Sequence, residues 1–222
     1  MMRLTARDGH ALDAYLARPS PSARVRGGIV IAQEMYGVNA YLRSVCDFYA
    51  AQGYVAIAPA LYDRRQRGLT YAYTKEDHDR AQKTYTAWNL DHALADLDAA
   101  RAAIADAGRI AILGFCWGGS LAWLSACRSD YAGAVSYYGS MIPDLANEQP
   151  RCPVICHIGD QDTSLPPARV AIFRAAQPSV PVYMYEGAPH GFDNENRTER
   201  YHPAAHKVAR DRTLAFLAKY VG

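Results

Sequence analysis

Gly114-Phe115-Cys116-Trp117-Gly118-Gly119 is the stretch of this chain with the most chemical content. The apolar run Ile110-Ala111-Ile112-Leu113 precedes it, and a helical pattern from Ser120 to Arg128 follows. Strand, tight turn, helix is the layout, with Cys116 on the turn. Glycines at 114 and 118 let the backbone pass close by while a nucleophile sits on a strained turn. A helix opening at Trp117 aims its free amides and positive end at the sulfur. That favours the thiolate, the reactive form of cysteine. The hexapeptide alone also fits a small buried Cys in a glycine-rich turn, so the rest of the chain must separate the two.

A thiol nucleophile needs a base, and the base needs an orienting group. Gly159-Asp160-Gln161-Asp162 follows an apolar run ending at Ile158, and Glu186 to Phe192, with His190, follows Val182 to Tyr185. In the order Cys116, Asp162, His190, imidazole takes the thiol proton. The carboxylate fixes the tautomer and stabilises imidazolium. Asp160 competes for the acid role. Taken singly, the two aspartates fit turn or cap positions and His190 fits a polar loop. Three placements at strand ends, in this order, favour the catalytic reading.

Gln33-Glu34-Met35-Tyr36-Gly37-Val38-Asn39 follows another apolar run, Gly28 to Ala32. An oxyanion hole here would combine the N–H of Trp117 with that of Met35. Glu34 is then expected beside the nucleophile; the plainer alternative is a surface or capping Glu.

The elements that must hold these residues alternate. Strands are expected at His10 to Ala17, Gly28 to Ala32, Tyr54 to Ala58 (stopped by Pro59), Ile110 to Leu113, Ala134 to Tyr138, Val154 to Ile158 and Val182 to Tyr185. Helices are expected at 40–52, with Gly53 as C-cap, at 75–107 with a break near Asn89, and near 166–176 and 204–220. Strands alternating with helices imply a mostly parallel sheet with helices on both faces, and chemistry at the carboxyl ends of the strands. The strand–Gly-x-Cys-x-Gly–helix turn is the nucleophile elbow of the α/β-hydrolase fold. Residues 1–222 are read as one such domain without a large cap domain.

Composition sets the frame. Half of the 222 residues are hydrophobic, enough for a full core. Lys and Arg number 24 against 22 Asp and Glu, a net charge of +2. That balance argues against a nucleic-acid partner. No apolar run approaches the ~18 residues of a membrane span, and the first ten residues contain no signal core. Five cysteines at irregular spacing do not form a disulfide framework, and a reduced, cytoplasmic setting is expected.

The chain resembles the dienelactone hydrolase family. The resemblance rests on Gln-Glu-x-x-Gly-Val-Asn at 33–39, Gly-x-Cys-x-Gly-Gly at 114–119, Tyr-Tyr-Gly at 137–139, Gly-x-x-Asp at 159–162 and His-x-Phe at 190–192, and spans about residues 10–220. It implies a triad of Cys116, His190 and Asp162, with Glu34 interacting with the resting thiol and substrate binding helping to release a thiolate. It also implies hydrolysis of small ester or lactone substrates, an enol-lactone being the namesake. No cofactor is called for. Tyr36, Tyr138 and Phe192 are candidate substrate contacts. The namesake enzymes pair two Arg with a substrate carboxylate; those positions here are Asn194 and His78. Arg80 and Arg197 are the nearest cations, suited to a carboxylate or to a solvated surface.

Other features carry less. His202 and His206 are spaced i, i+4 without the acidic partner of a His-Glu-x-x-His zinc motif, so no metal site is expected. Cys46, Cys127, Cys152 and Cys156 read as core. So do Tyr71, Tyr73, Tyr85 and Trp88, although aromatics could line a pocket. Two alternatives to a hydrolase stay open: a binding protein that kept the fold and lost turnover, and a peroxide-sensitive thiol at Cys116.

Overall fold

The computed structural model describes residues 1–85 and 89–222. Trp88 lies outside the described residues. Backbone contacts divide the chain into two compact units. Met1–Ile110 with Val221 form one; Ala111–Tyr220 with Gly222 form the other.

The first unit contains β1 (Met2–Thr5), β2 (Ala11–Ala17), β3 (Gly27–Ala32), α1 (Ala40–Ala51), β4 (Tyr54–Pro59), α2 (Lys75–Tyr85) and α3 (Leu90–Ala103). Its strand order is β1-β2-β4-β3. β1 and β2 are antiparallel, as are β2 and β4, whereas β3 and β4 run parallel. Every residue of β3 and β4 is buried, which is why their sequences are continuous apolar runs. Asn39 caps α1 by accepting the Leu42 N–H. Asn89 caps α3 by accepting the N–H groups of Asp91 and His92. The break expected near Asn89 is therefore a new helix start. Several details differ from the sequence reading: β2 begins at Ala11, β3 begins at Gly27 and α3 ends at Ala103. β1 is additional, and Pro59 is the last residue of β4, paired with Ala14.

The second unit carries β5 (Ile110–Phe115) from Ala111 onward, α4 (Trp117–Arg128), β6 (Gly133–Tyr137), β7 (Val154–Gly159), α5 (Pro167–Ala176), β8 (Val182–Tyr185) and α6 (Pro203–Tyr220). β5 to β8 lie side by side in chain order, all parallel. α4 is buried from Trp117 to Cys127, so it is apolar all round instead of amphipathic. β6 ends one residue earlier than expected, because Tyr138 turns to φ 40°.

Candidate active site

β5 delivers the chain to Cys116 at φ 54°, ψ −117°. Among the described residues, Cys116 and Tyr138 are the two non-glycine residues with positive φ. Such a conformation costs a side-chain-bearing residue roughly 1–3 kcal/mol and persists only when its surroundings hold it. Here the Cys116 N–H donates to the Tyr137 carbonyl at 3.0 Å, and the Ser120 N–H donates to the Cys116 carbonyl at 3.2 Å. A Cβ on Gly114 would overlap the Gly118 carbonyl, and one on Gly119 would stand 2.5 Å from the Tyr137 carbonyl. The glycine spacing is thus the condition for α4 to fold back over β5. Cys116 stands at the N-terminus of α4, where the helix dipole favours negative charge.

The acid and the histidine come from the ends of the next strands. Asp162 lies past β7 and is buried. Its Oδ1 accepts the N–H groups of Ser164 and Leu165 at 2.8 and 2.9 Å, and its Oδ2 faces His190 Nδ1 at 2.8 Å. Asp160 does other work: its Oδ1 accepts the Gly187 N–H at 2.8 Å, tying the loops after β7 and β8 together. The geometry therefore joins Asp162, not Asp160, to His190. His190 also hydrogen-bonds the Cys116 side chain. With Nδ1–H given to Asp162, Nε2 is the nitrogen available to the sulfur.

Burial alone would push the His190 imidazole down. A negative charge on Cys116 opposes it, helped by the Asp162 hydrogen bond, and together they raise the group to about 10. Tyr138 lies edge-on to His190, ring centres 5.1 Å apart, and Phe192 is 5.4 Å from Tyr138. Both aromatics are fully buried.

A buried polar chain runs through the same strands. Arg212 Nη1 donates to the Tyr185 hydroxyl at 3.2 Å. Tyr185 lies 2.7 Å from His157 Nδ1, His157 Nε2 lies 3.1 Å from Thr213 Oγ1, and Thr213 lies 2.7 Å from the Tyr137 hydroxyl. Arginine only donates, so it sets one direction that satisfies every member. Tyr185 donates to His157 Nδ1, His157 donates from Nε2, and Thr213 donates to Tyr137. Burial, then the charge of Arg212, lower the His157 imidazole to about 3, so it stays neutral. The His157 carbonyl accepts the Tyr138 N–H at 2.8 Å. This chain therefore braces β6, β7 and β8 directly behind the loops that carry Asp162 and His190. Sequence reasoning missed it, although a lone His inside the apolar run Val154 to Ile158 was a visible signal.

In the first unit, Glu34 is buried and accepts the Tyr73 O–H at 2.7 Å; the Tyr73 oxygen in turn accepts Asn39 Nδ2–H at 2.9 Å. Tyr36 is buried, its hydroxyl 2.8 Å from His78 Nδ1 and its ring edge-on to Tyr73 at 4.6 Å. Tyr73, assigned to core packing by sequence, is thus a half-buried partner of Glu34 on the loop before α2. Tyr71 is buried and meets Thr84 through its hydroxyl. The Met35 carbonyl accepts the Tyr62 O–H at 2.8 Å, which fixes the strand-end loop.

The two candidate cations differ. Arg80 is exposed, paired with Asp77 at 2.9 Å and set 5.5 Å from the Tyr71 ring. Arg197 is buried, with Nε 3.2 Å from Glu199. Asn194 is buried and its side chain accepts the Asn196 N–H. His206 Nδ1 stands 3.0 Å from Asp193, and His202 Nδ1 accepts the Ala205 N–H. Both are engaged locally. Burial pushes the thiols of Cys127 and Cys156 up to about 12 and that of Cys152 to about 11, and raises Cys46 further still. Cys46, Cys127 and Cys156 are buried as the sequence suggests, Cys152 is only half-buried, and the thiolate form of each is disfavoured.

Comparison with known proteins gives these residues a context. The family model described as "Dienelactone hydrolase family" matches residues 12–221. A carboxymethylenebutenolidase of Pseudomonas putida is 34% identical over 221 residues, covering 95% of this chain and 92% of its own. A crystal structure from Klebsiella pneumoniae, of a protein provisionally named a dienelactone hydrolase, superimposes with TM-score 0.87 at 30% identity, covering 98% of each chain. A dienelactone hydrolase-like promiscuous phosphotriesterase from metagenomic libraries shares the fold, with TM-score 0.78 at 17% identity over 100% of this chain and 98% of its own. Among the described residues, no inserted cap domain interrupts the elements, and no helix is long and apolar enough to cross a membrane. The chain has the α/β-hydrolase fold and belongs to the dienelactone hydrolase family.

Proposed function

We propose that this protein hydrolyses small carboxylic esters or lactones through a Cys116–His190–Asp162 triad and an acyl-thioester on Cys116. One observation carries the reading: a cysteine at positive φ on a strand-to-helix turn, hydrogen-bonded to a histidine that Asp162 orients at 2.8 Å. The Cys116 thiolate attacks the carbonyl carbon. The Trp117 N–H, with that of Met35, receives the oxyanion; losing one such donor typically costs ~3 kcal/mol in the barrier. Imidazolium His190 gives its proton to the leaving oxygen as the C–O bond breaks. In a lactone that oxygen stays attached to the acyl chain. Water then attacks the thioester with His190 as base, and the thiolate is the leaving group.

Glu34 is assigned to the resting thiol on the family resemblance, with Tyr73 and Asn39 as the groups that orient it. Asn194 and His78 stand where the namesake enzymes carry their carboxylate-binding Arg pair. With Arg80 exposed and paired to Asp77, the reading favours neutral substrates. A panel of aryl esters and small lactones, run on the wild type and on Cys116→Ala, tests it. Turnover by the wild type alone is expected; turnover by both proteins overturns the reading.

A further inference from the structure

The second unit has a cavity of about 580 Å³ that the triad does not use. Pro150, Pro153, Val154 and Ile155 line one side, with Pro181 and Tyr183 of the β8 segment; Arg212, Phe216, Lys219 and Tyr220 of α6 close it. Val154 and Val182 begin β7 and β8, whereas Asp162 and His190 follow the carboxyl ends of those strands. The cavity therefore opens at the opposite end of the strands from the triad. Its volume falls within the range of small-ligand sites, roughly 300–1,000 Å³.

Its charge is one-sided. The lining includes Arg212 and Lys219 and no acid. Arg212 stacks on Tyr183, 4.2 Å from the ring centre, and gives one N–H to Tyr185. Among the described residues no carboxylate lies within 4.0 Å of Arg212 or of Lys219, whereas the neighbouring Lys207 and Asp211 pair with each other at 2.7 Å. A guanidinium carries five donors, and those of Arg212 beyond the Tyr185 bond have no acceptor among the described residues. A half-buried guanidinium already fixed by stacking is pre-organised to take a planar oxyanion on two parallel N–H groups. Around it the walls are aromatic and proline-rich, which suits a flat apolar body.

The geometry points to a second small-molecule site, in which an amphipathic carboxylate places its anion on Arg212 and Lys219 and its aromatic or alkyl body against Tyr183, Phe216 and Tyr220. The test uses 4-butylbenzoate as probe and 4-butylbenzamide as neutral control. Binding is followed by calorimetry and by NMR on protein whose Cys116 has been blocked with iodoacetamide, so the result is independent of hydrolysis. Saturable one-to-one binding of the carboxylate is expected, with resonances of Tyr183 and Ala215 shifting. Affinity falls at least tenfold for the amide and for Arg212→Gln. Ala215→Phe fills the cavity from an exposed helix position and keeps the arginine at 212. It abolishes binding while the melting temperature stays unchanged, which guards against misfolding of the arginine variant. Three outcomes overturn the proposal: no saturable binding, binding that blocking Cys116 removes and Arg212→Gln leaves intact, or a dimer whose interface covers Phe216 and Tyr220.

Discussion

Cys116 gives its backbone N–H to the carbonyl of Tyr137 at 3.0 Å, so the strained residue of one strand end is pinned to the last residue of the next strand. Tyr137 is in turn held through its hydroxyl by Thr213 and, beyond it, by His157. The elbow is rigid because a neighbouring strand and a helix grip it from behind. The position of Cys116 thus depends on residues buried behind it.

Asp162 and Asp160 separate by mutation. Asp162→Asn removes the acceptor of His190 Nδ1–H and favours the wrong tautomer, so kcat falls by about 10⁴-fold with the fold intact. Asp160→Asn weakens only the link to Gly187 and leaves kcat within an order of magnitude. NMR titration checks the electrostatic cause. His190 in the wild type keeps its proton past neutrality and loses it near 10, and Asp162→Asn moves that titration down. The reverse ranking of the two variants would assign the acid role to Asp160.

His157 predicts acid lability. Its folded-state value is depressed from 6.5 to about 3. Between those values the unfolded chain binds a proton that the fold refuses. The stabilisation is complete above about pH 6.5 and is lost as pH falls toward 3, by up to ~5 kcal/mol for this group. In His157→Gln the stability measured by urea unfolding becomes less dependent on pH across that window, whatever its absolute level. An unchanged slope contradicts the account.

Much of this architecture is readable from sequence, for physical reasons that differ by element. β3, β4, β5 and β7 are buried on both faces, so their apolar runs stand out between turns. The order Cys116, Asp162, His190 stands out because each residue follows such a run, and the structure brings Asp162 to His190. β1 was not, since Met-Arg-Leu-Thr carries only four residues and its pairing with Ala11–Ala14 lies in three dimensions. Nor was the left-handed turn at Tyr138, because nothing in a tyrosine announces positive φ. Tyr73 and His157 look like ordinary core residues; their partners lie 39 residues away at Glu34, and 28 and 56 residues away at Tyr185 and Thr213.

Glu34 is tested at the thiol. If it governs the resting state, Glu34→Gln changes the rate at which iodoacetamide alkylates Cys116 and the pH dependence of that rate. Tyr73→Phe, which removes the hydroxyl that holds Glu34, changes the profile in the same direction and by less. Superimposable pH–rate profiles for wild type and Glu34→Gln make Glu34 a structural residue.

Substrate charge follows from Asn194 and His78. Arg80 is exposed and paired with Asp77, and the buried Arg197 is paired with Glu199; arginines engaged in this way discriminate weakly for a substrate carboxylate. An anionic lactone and its methyl ester therefore have kcat/KM values within about a hundredfold of each other, equivalent to ~3 kcal/mol. A larger preference for the anion shows that a clamp exists, and neutralising Arg197 and Arg80 in turn identifies it.

The central claim is covalent chemistry at Cys116, and the most direct measurement is intact-protein mass spectrometry after rapid acid quench with an aryl ester. The account predicts one acyl group, on the peptide containing Cys116, accumulating when deacylation is slow and absent from Cys116→Ala, which is inactive. Cys116→Ser turns over slowly, the hydroxyl being a poorer nucleophile at neutral pH. An active Cys116→Ala protein, or an acyl group found on another residue, contradicts it.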